Sequence, residues 1–296
     1  MPHADADVRR VIHTRAGVGA TAGIIQREAL RFSRLTFDQP TLIVVRHGEK
    51  TFSSAKENWL LKSGEAVAIG KGQRFDITNR PDANRSYQAN WLVFEPDMVQ
   101  AFGHIAAMAS RPVRSLGRLE AGFVEAFARA SEAIRNPAAV PLEIARHRME
   151  EILLWLKRRG VSLADVPPRT FSQRVREIFM AMLDETWTAA IVARHLHMSE
   201  ATLRRHLAAE GSSLSSLLAD VRMSHALSLL QSTDQLVGNI ARNVGYESAS
   251  SFASRFRQRF GFAPTAVRGH RRGDPCSPPP IPSLFTDDFT QPKVLR

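Results

Sequence analysis

Up to about residue 95 the apolar positions come in short β-like runs, Leu42–Val45, Trp59–Leu61, Glu65–Ile69 and Tyr87–Phe94. Turn-formers separate them: His47-Gly48, Ser63-Gly64, Gly70-Lys71-Gly72 and Asn79-Arg80-Pro81-Asp82. This spacing predicts a meander closed into a small barrel or sandwich. From about 96 to 160 the period lengthens to three and four. Leu116, Leu119, Phe123, Phe127, Ala130 and Ile134 recur at helical steps, and so do Leu142, Ala145, Met149, Ile152 and Leu156. The second set keeps the strict 3-4 alternation of a short coiled-coil seam. Such a seam serves either core packing or a dimer contact; here it is assigned to dimerisation. Residues 161–168 end in Val166-Pro167-Pro168, which stops helix propagation and marks a linker. Residues 169–272 read as helical throughout, whereas 273–296, with Pro278-Pro279-Pro280, is expected to be disordered. The expected organisation is therefore a β-domain (1–95), a helical dimerisation segment (96–160), the linker, an all-α domain (169–272) and a tail.

The helical domain contains a repeat. Ile191-Val192-Ala193-Arg194-His195-Leu196 is a short amphipathic helix, followed by the break His197-Met198-Ser199 and then Glu200-Ala201-Thr202-Leu203-Arg204-Arg205-His206-Leu207. Ser199 is a natural N-cap, Ala193 allows a close helix crossing, and Leu203 and Leu207 share an inward face. The layout returns 48 residues later, with Ala241 for Ala193 and then, after a turn one residue longer, Ser248 for Ser199, and Phe252 and Phe256 for the two leucines. Gly245 occupies the turn, where a left-handed backbone suits glycine. An apolar helix from Leu214 to Leu230 joins the copies. Two helix-turn-helix units on one stiff connector could enter successive major grooves, roughly 34 Å apart.

Charge supports that reading. The 296-residue chain has 40 basic and 29 acidic residues, a formal net charge of +11, and only six of the basic residues are lysines. Arginine excess fits a phosphate-bearing partner, although biased codon usage gives the same composition. Position discriminates: between Ser248 and Gly273 there is no Asp or Glu, while Arg255, Arg257, Arg259, Arg268, Arg271 and Arg272 are all basic. A solvated face normally mixes signs.

The stretch Trp187–Arg268, with Ile240-Ala241, Gly245-Tyr246-Glu247-Ser248, Ser251-Phe252, Phe256-Arg257 and Phe260-Gly261-Phe262-Ala263-Pro264, resembles the DNA-binding domain of AraC/XylS-type bacterial transcription regulators. The wording around Met198–Leu203 and Gly245–Ser248 is similar to the subgroup of enteric virulence and acid-stress regulators. Ala266-Val267 departs from it, since an aromatic commonly precedes the final arginine there. The resemblance implies an α+β chain, with a cupin-like N-terminal β-barrel and a C-terminal double helix-turn-helix. Helical geometry and the resemblance together place Ala201, Arg204 and Arg205 against bases in one groove and Ala249, Ser250, Ser251 and Ser254 in the next. Ser199, Ser248, Arg255, Arg257 and Arg259 are the expected phosphate contacts. The second set is short and permissive, so tighter sequence demands are expected at the first half-site.

The N-terminal half offers little chemistry. A cupin metal set needs alternating histidines, and no His-x-His occurs; His47-Gly48-Glu49 supplies one histidine and one carboxylate. No phosphate loop or nucleophile arrangement stands out, and the single cysteine, Cys276, cannot form an internal disulfide. Neither a metal nor a cofactor is expected. If Arg46, Lys50, Lys62 and Lys71 converge, a small acidic effector would suit them. No bilayer-spanning run or export signal is present, so a cytoplasmic protein without membrane contact is expected. The sequence thus points to a homodimeric, sequence-specific transcription regulator, most simply an activator, with promoter DNA and RNA polymerase as partners. A cupin-like enzyme and a nonspecific nucleic-acid architectural protein are the alternatives.

Overall fold

The computed structural model describes residues 11–54, 58–83, 86–102, 113–164 and 170–268. The two prolines of the linker, Cys276 and the tail lie outside them. The strands are β1 (His13–Arg15), β2 (Gly19–Gln26), β3 (Leu30–Phe37), β4 (Thr41–His47), β5 (Glu49–Ser53), β6 (Asn58–Leu61), β7 (Glu65–Ile69), β8 (Gln73–Arg80), β9 (Tyr87–Phe94) and β10 (Val113–Arg118). The helices are α1 (Pro96–Ala101), α2 (Ala121–Arg135), α3 (Leu142–Arg158), α4 (Phe171–Ala181), α5 (Ala189–His195), α6 (Glu200–Ala209), α7 (Leu214–Ser232), α8 (Val237–Asn243) and α9 (Ala249–Phe260). A 3-10 turn, Pro264–Arg268, ends the described chain.

The strands form two antiparallel sheets, ordered β1-β2-β9-β4-β7-β10 and β3-β8-β5-β6. They face each other as a sandwich instead of closing into one barrel. The larger sheet is covered on both sides. Ile43, Val45, Val67 and Ile69 point between the sheets, where they meet Phe32, Phe52, Phe75 and Ile77. Leu42, Val44, Ala66 and Ala68 point the other way, against Phe123, Met149 and Ile152 of α2 and α3. That double burial explains the unbroken run Leu42-Ile43-Val44-Val45, because a strand with two dry faces has no polar alternation.

The coiled-coil seam is used inside the chain. Ala145, Met149, Ile152 and Leu156 are each at most 1% exposed, packed with α2 and the larger sheet, and Trp155 stacks on Phe123 at 5.5 Å. Leu142 alone remains exposed. These residues therefore build a core and do not present a dimer surface. A heptad pattern cannot separate those outcomes, since a helix needs the same stripe to lie on a sheet as to lie on its twin. The 96–160 span also contains a strand. Val113–Arg118 pairs antiparallel with β7, so Leu116 belongs to β10 and not to the helical series it matches in spacing. The start of the expected linker is anchored too: Val161 and Leu163 are buried in the same core.

Two separate cores serve the helical domain. Val175 and Phe179 of α4, Val192 and Ala193 of α5, Leu203 and Leu207 of α6, and Leu217 and Val221 of α7 make one. The second half of α7 packs with Ile240, Phe252, Phe256 and Phe260 in a cluster continuous with the sandwich interior. Phe32 of β3 meets Phe260 and Phe262 edge-on at 6.2 and 5.8 Å. Val267 is fully buried there, so the departure at 266–267 leaves no gap. Because a carboxylate at position 152 has no partner in its core, Ile152→Glu should unfold the N-terminal domain at a cost of roughly 3 kcal/mol or more. Circular dichroism melting checks this; a well-folded variant that merely changes its mass in solution would show the seam to be an interface after all.

Candidate nucleic-acid interface

Both helix-turn-helix units are built by the same local rules. Ser199 accepts a hydrogen bond from the Thr202 N–H at 3.2 Å, and Ser248 from the Ser251 N–H at 3.1 Å. These caps fix where α6 and α9 start. The first helices end identically as well. His197 and Met198 donate to the carbonyls of Arg194 and Ala193, as Gly245 and Tyr246 donate to those of Arg242 and Ala241. This is the Schellman pattern, which needs a left-handed residue at its fifth position. Gly245 has φ +77°, and His197 has φ +52°. Residue type marks the glycine as left-handed, but not the histidine that does the same job. The signal was available in the alignment of the two copies.

The capping serines were also expected to touch phosphate. Their oxygens are already engaged, Ser199 doubly so through the Thr202 hydroxyl at 2.9 Å. On α6, Leu203 and Leu207 are buried, while Ala201, Arg204 and Arg205 are exposed. Arg204 pairs with Glu200 one turn earlier at 3.2 Å, and Arg205 reaches the Thr202 hydroxyl at 3.3 Å. On α9, Phe252 and Phe256 are buried, and Ala249, Ser250, Ser251 and Ser254 form an exposed face beside exposed Arg255 and Arg257. Both expected reading faces thus point to solvent. The connector α7 has 19 residues, about 28 Å of helix.

Two arginines are not where phosphate would meet them. Arg259 lies seven residues after Phe252, nearly the same angle around the helix, so it faces inward. Its guanidinium binds Asp220 of α7 at 2.8 Å and the carbonyls of Ser33 and Arg34 at 2.6 and 2.9 Å. Arg268 donates to the Leu230 and Thr233 carbonyls at the end of α7. The missed residues are equally polar. Arg176 of α4, 4% exposed, takes Asp38 with two hydrogen bonds at 2.6 and 2.9 Å and Asp220 at 2.7 Å. Burial opposes the Asp220 charge, but Arg176 and Arg259 outweigh it and leave its pKa lowered. Arg222 of α7 donates to the carbonyls of Leu183, Glu185 and Gly245, tying the entry of the first unit to the turn of the second.

The four candidate effector residues do not form one site. Lys62 is exposed, Arg46 sits at the end of β4, and Lys71 pairs with Glu177 of α4 at 2.6 Å beside a cleft of about 270 Å³. Lys50 is enclosed between the sheets, donating to Asn79 at 2.8 Å, with Phe52 and Tyr87 rings 5.3 and 5.5 Å away. Burial lowers its pKa to about 7. The Tyr87 hydroxyl is buried with no hydrogen-bond partner among the described residues. His47 and Glu49 fall on different strands, separated by the turn at Gly48, φ +77°. Among the described residues no cluster of three or more His, Cys, Asp or Glu is placed to hold a metal.

Comparison with known proteins bears directly on the paired units. A family model described as a helix-turn-helix domain matches residues 192–270. That match spans both repeated units, the stretch whose sequence resembles AraC-type regulators. The chain's relatives include the transcriptional activator FapR of Escherichia coli, 33% identical over 36% of this chain and 40% of FapR. The virulence regulon activator VirF of Shigella flexneri is 28% identical over 32% of this chain and 36% of VirF, and the dual regulator Rns of E. coli 33% identical over the same shares. The chain thus spans well under half the length of these relatives. Across both domains the fold matches ToxT of Vibrio cholerae. An apo ToxT variant aligns with TM-score 0.64 and 12% identity, covering 85% of this chain and 97% of ToxT. A second ToxT structure gives 0.60 and 12%, over 83% and 96%. The two-domain α+β architecture is therefore that of ToxT.

His197 carries the left-handed conformation that Gly245 carries without a Cβ. His197→Gly should stabilise the first unit by up to about 1 kcal/mol, the strain released less the entropy a glycine adds. Denaturant titration of the full chain measures it, and a loss of stability would show the imidazole to be doing something else.

Proposed function

We propose that this protein is a sequence-specific DNA-binding transcription regulator, acting as an activator from the cytoplasm. The observation that carries the reading is the pair of capped helices, α6 and α9, mounted on one connector with both outer faces open. Arg204 or Arg205, paired bidentately with a guanine, would supply roughly 1–3 kcal/mol of base discrimination. Arg255 and Arg257 hold phosphate. Arg259 has no such role, since its donors are spent within the chain. The mechanism is docking without bond chemistry, and relatives named as transcriptional activators favour it over the enzyme alternative. FapR and VirF carry the name of activators, which supports activation here. Bound beside a promoter, the protein contacts RNA polymerase. A homodimer needs a surface other than the α3 seam. Among the described residues no helix is long and apolar enough to cross a membrane.

Genome-wide mapping of bound sites, followed by gel shifts on matched and scrambled duplexes, tests the reading. The matched duplex should bind tighter by tenfold or more at physiological salt. Arg205→Ala should relax preference at one base pair, and Arg257→Ala should weaken all sequences alike and flatten the salt dependence by about one charge. Equal affinity for both duplexes would favour an architectural protein.

A second reading concerns the sandwich interior. Lys50, Asn79 and the unpartnered Tyr87 hydroxyl form a buried polar group among aromatic rings, suited to a carboxylate with an apolar tail. ToxT structures are described as bound to an unsaturated fatty acid and to a naphthalenyl butenoic acid. An acidic effector at Lys50 is the corresponding proposal. A long-chain fatty acid should raise the melting midpoint of the wild type and leave Lys50→Gln unmoved. Because the free amine titrates near 7 and the acid pairs only with the ammonium, binding should weaken as pH rises above about 7. Binding unchanged between pH 6 and 9 would remove Lys50 from the site.

A further inference from the structure

The two helix-turn-helix units have separate apolar cores, each seated on its own half of α7, so they share that helix but no common core. Polar ties across α7 add directional contacts between them. Asp220 accepts Arg176, from α4 of the first unit, on one oxygen at 2.7 Å, and Arg259, from α9 of the second, on the other at 2.8 Å. Each arginine also reaches the N-terminal domain. Arg176 grips both oxygens of Asp38, in the turn after β3. Arg259 donates to the Ser33 and Arg34 carbonyls of β3 itself. All four side chains are 18% exposed or less.

The β3 contact is specially shaped. The register slips between Phe32 and Leu35, so Ser33 and Arg34 form a bulge opposite Asp76. Arg34 takes φ +51°, uncommon for a residue with a Cβ, and its N–H is held by the Asp76 carboxylate at 2.7 Å. Bulges re-aim backbone groups, and this one turns two successive carbonyls onto one guanidinium. A forked guanidinium between fixed acceptors constrains angle as well as distance.

We propose that Asp220 is the joint through which the N-terminal domain sets the relative orientation of the two reading helices, with Asp38 acting on the first unit through Arg176 and the β3 bulge acting on the second through Arg259. These are positioning residues, since none lies on an exposed reading face. The inference rests on the DNA-binding reading above. Its signature is a change in half-site spacing, not in base preference. The balanced charge count, two acids and two arginines, lets the network stay buried.

Fluorescence anisotropy with the full chain tests it, using duplexes whose two mapped half-sites stand at native spacing or carry one or five inserted base pairs. The wild type should prefer native spacing. Asp38→Asn keeps the side chain's shape and removes its charge, and should lower that preference at least threefold while base preference within each half-site and the salt slope hold. Arg259→Lys keeps the charge on Asp220 but cannot span both bulge carbonyls, and should act in the same direction; melting curves confirm that each variant is folded. Wild-type spacing ratios in both variants, or equal weakening on single and paired half-sites, would overturn the proposal. A wild type that binds matched and scrambled duplexes alike would instead overturn the DNA-binding reading beneath it.

Discussion

A single carboxylate holding two arginines organises the polar interior of this protein. Asp220 sits on the connector helix, and the charges it collects come from opposite ends of the DNA-binding module. A buried ion pair of this kind adds little net stability over a well-packed apolar substitute, because desolvation consumes most of the Coulombic gain. What it supplies is direction. Apolar packing tolerates small rotations, whereas a guanidinium fork loses its hydrogen bonds when its acceptors move by an ångström or two.

Much of the helical domain was legible because each local rule appears twice. Caps, crossing alanines and inward pairs recur in the two copies, and the structure places them in corresponding positions. The sandwich was partly legible. Runs with a clear turn on each side matched β4, β6, β7 and β9, while β1, β2, β3, β5 and β8 were not marked and β10 fell in the stretch read as helical. In β3 the cause is visible: Leu30 and Phe32 alternate in one phase, Leu35 and Phe37 in the other, and the phase break is the bulge. A period-2 search reads that break as the end of a strand.

The arginines show where composition stops being informative. An acid-free stretch suggested phosphate contact for Arg259 and its neighbours alike, yet the acid that neutralises Arg259, Asp220, lies far away in sequence on α7, and two backbone carbonyls of β3 take its remaining donors. Only the helical angle relative to Phe252 could have separated it from Arg257. The α3 seam failed for a related reason: its partner was a sheet in the same chain, and no pattern within one helix names its partner. Lys50, one of four candidate effector residues, turned out to be the one sealed in an apolar interior, and tertiary burial rather than sequence type sets its proton affinity.

The division of the helical domain into two cores bears on how it opens. The first unit rests on a small cluster of its own, while the second is continuous with the sandwich. Transient opening of α5 and α6 therefore disturbs fewer apolar neighbours than opening of α9, so their amide protons should exchange at the lower free energy. In the proposed DNA-binding role α6 would thus be the more loosely held of the two helices, settling into a groove after α9 has docked.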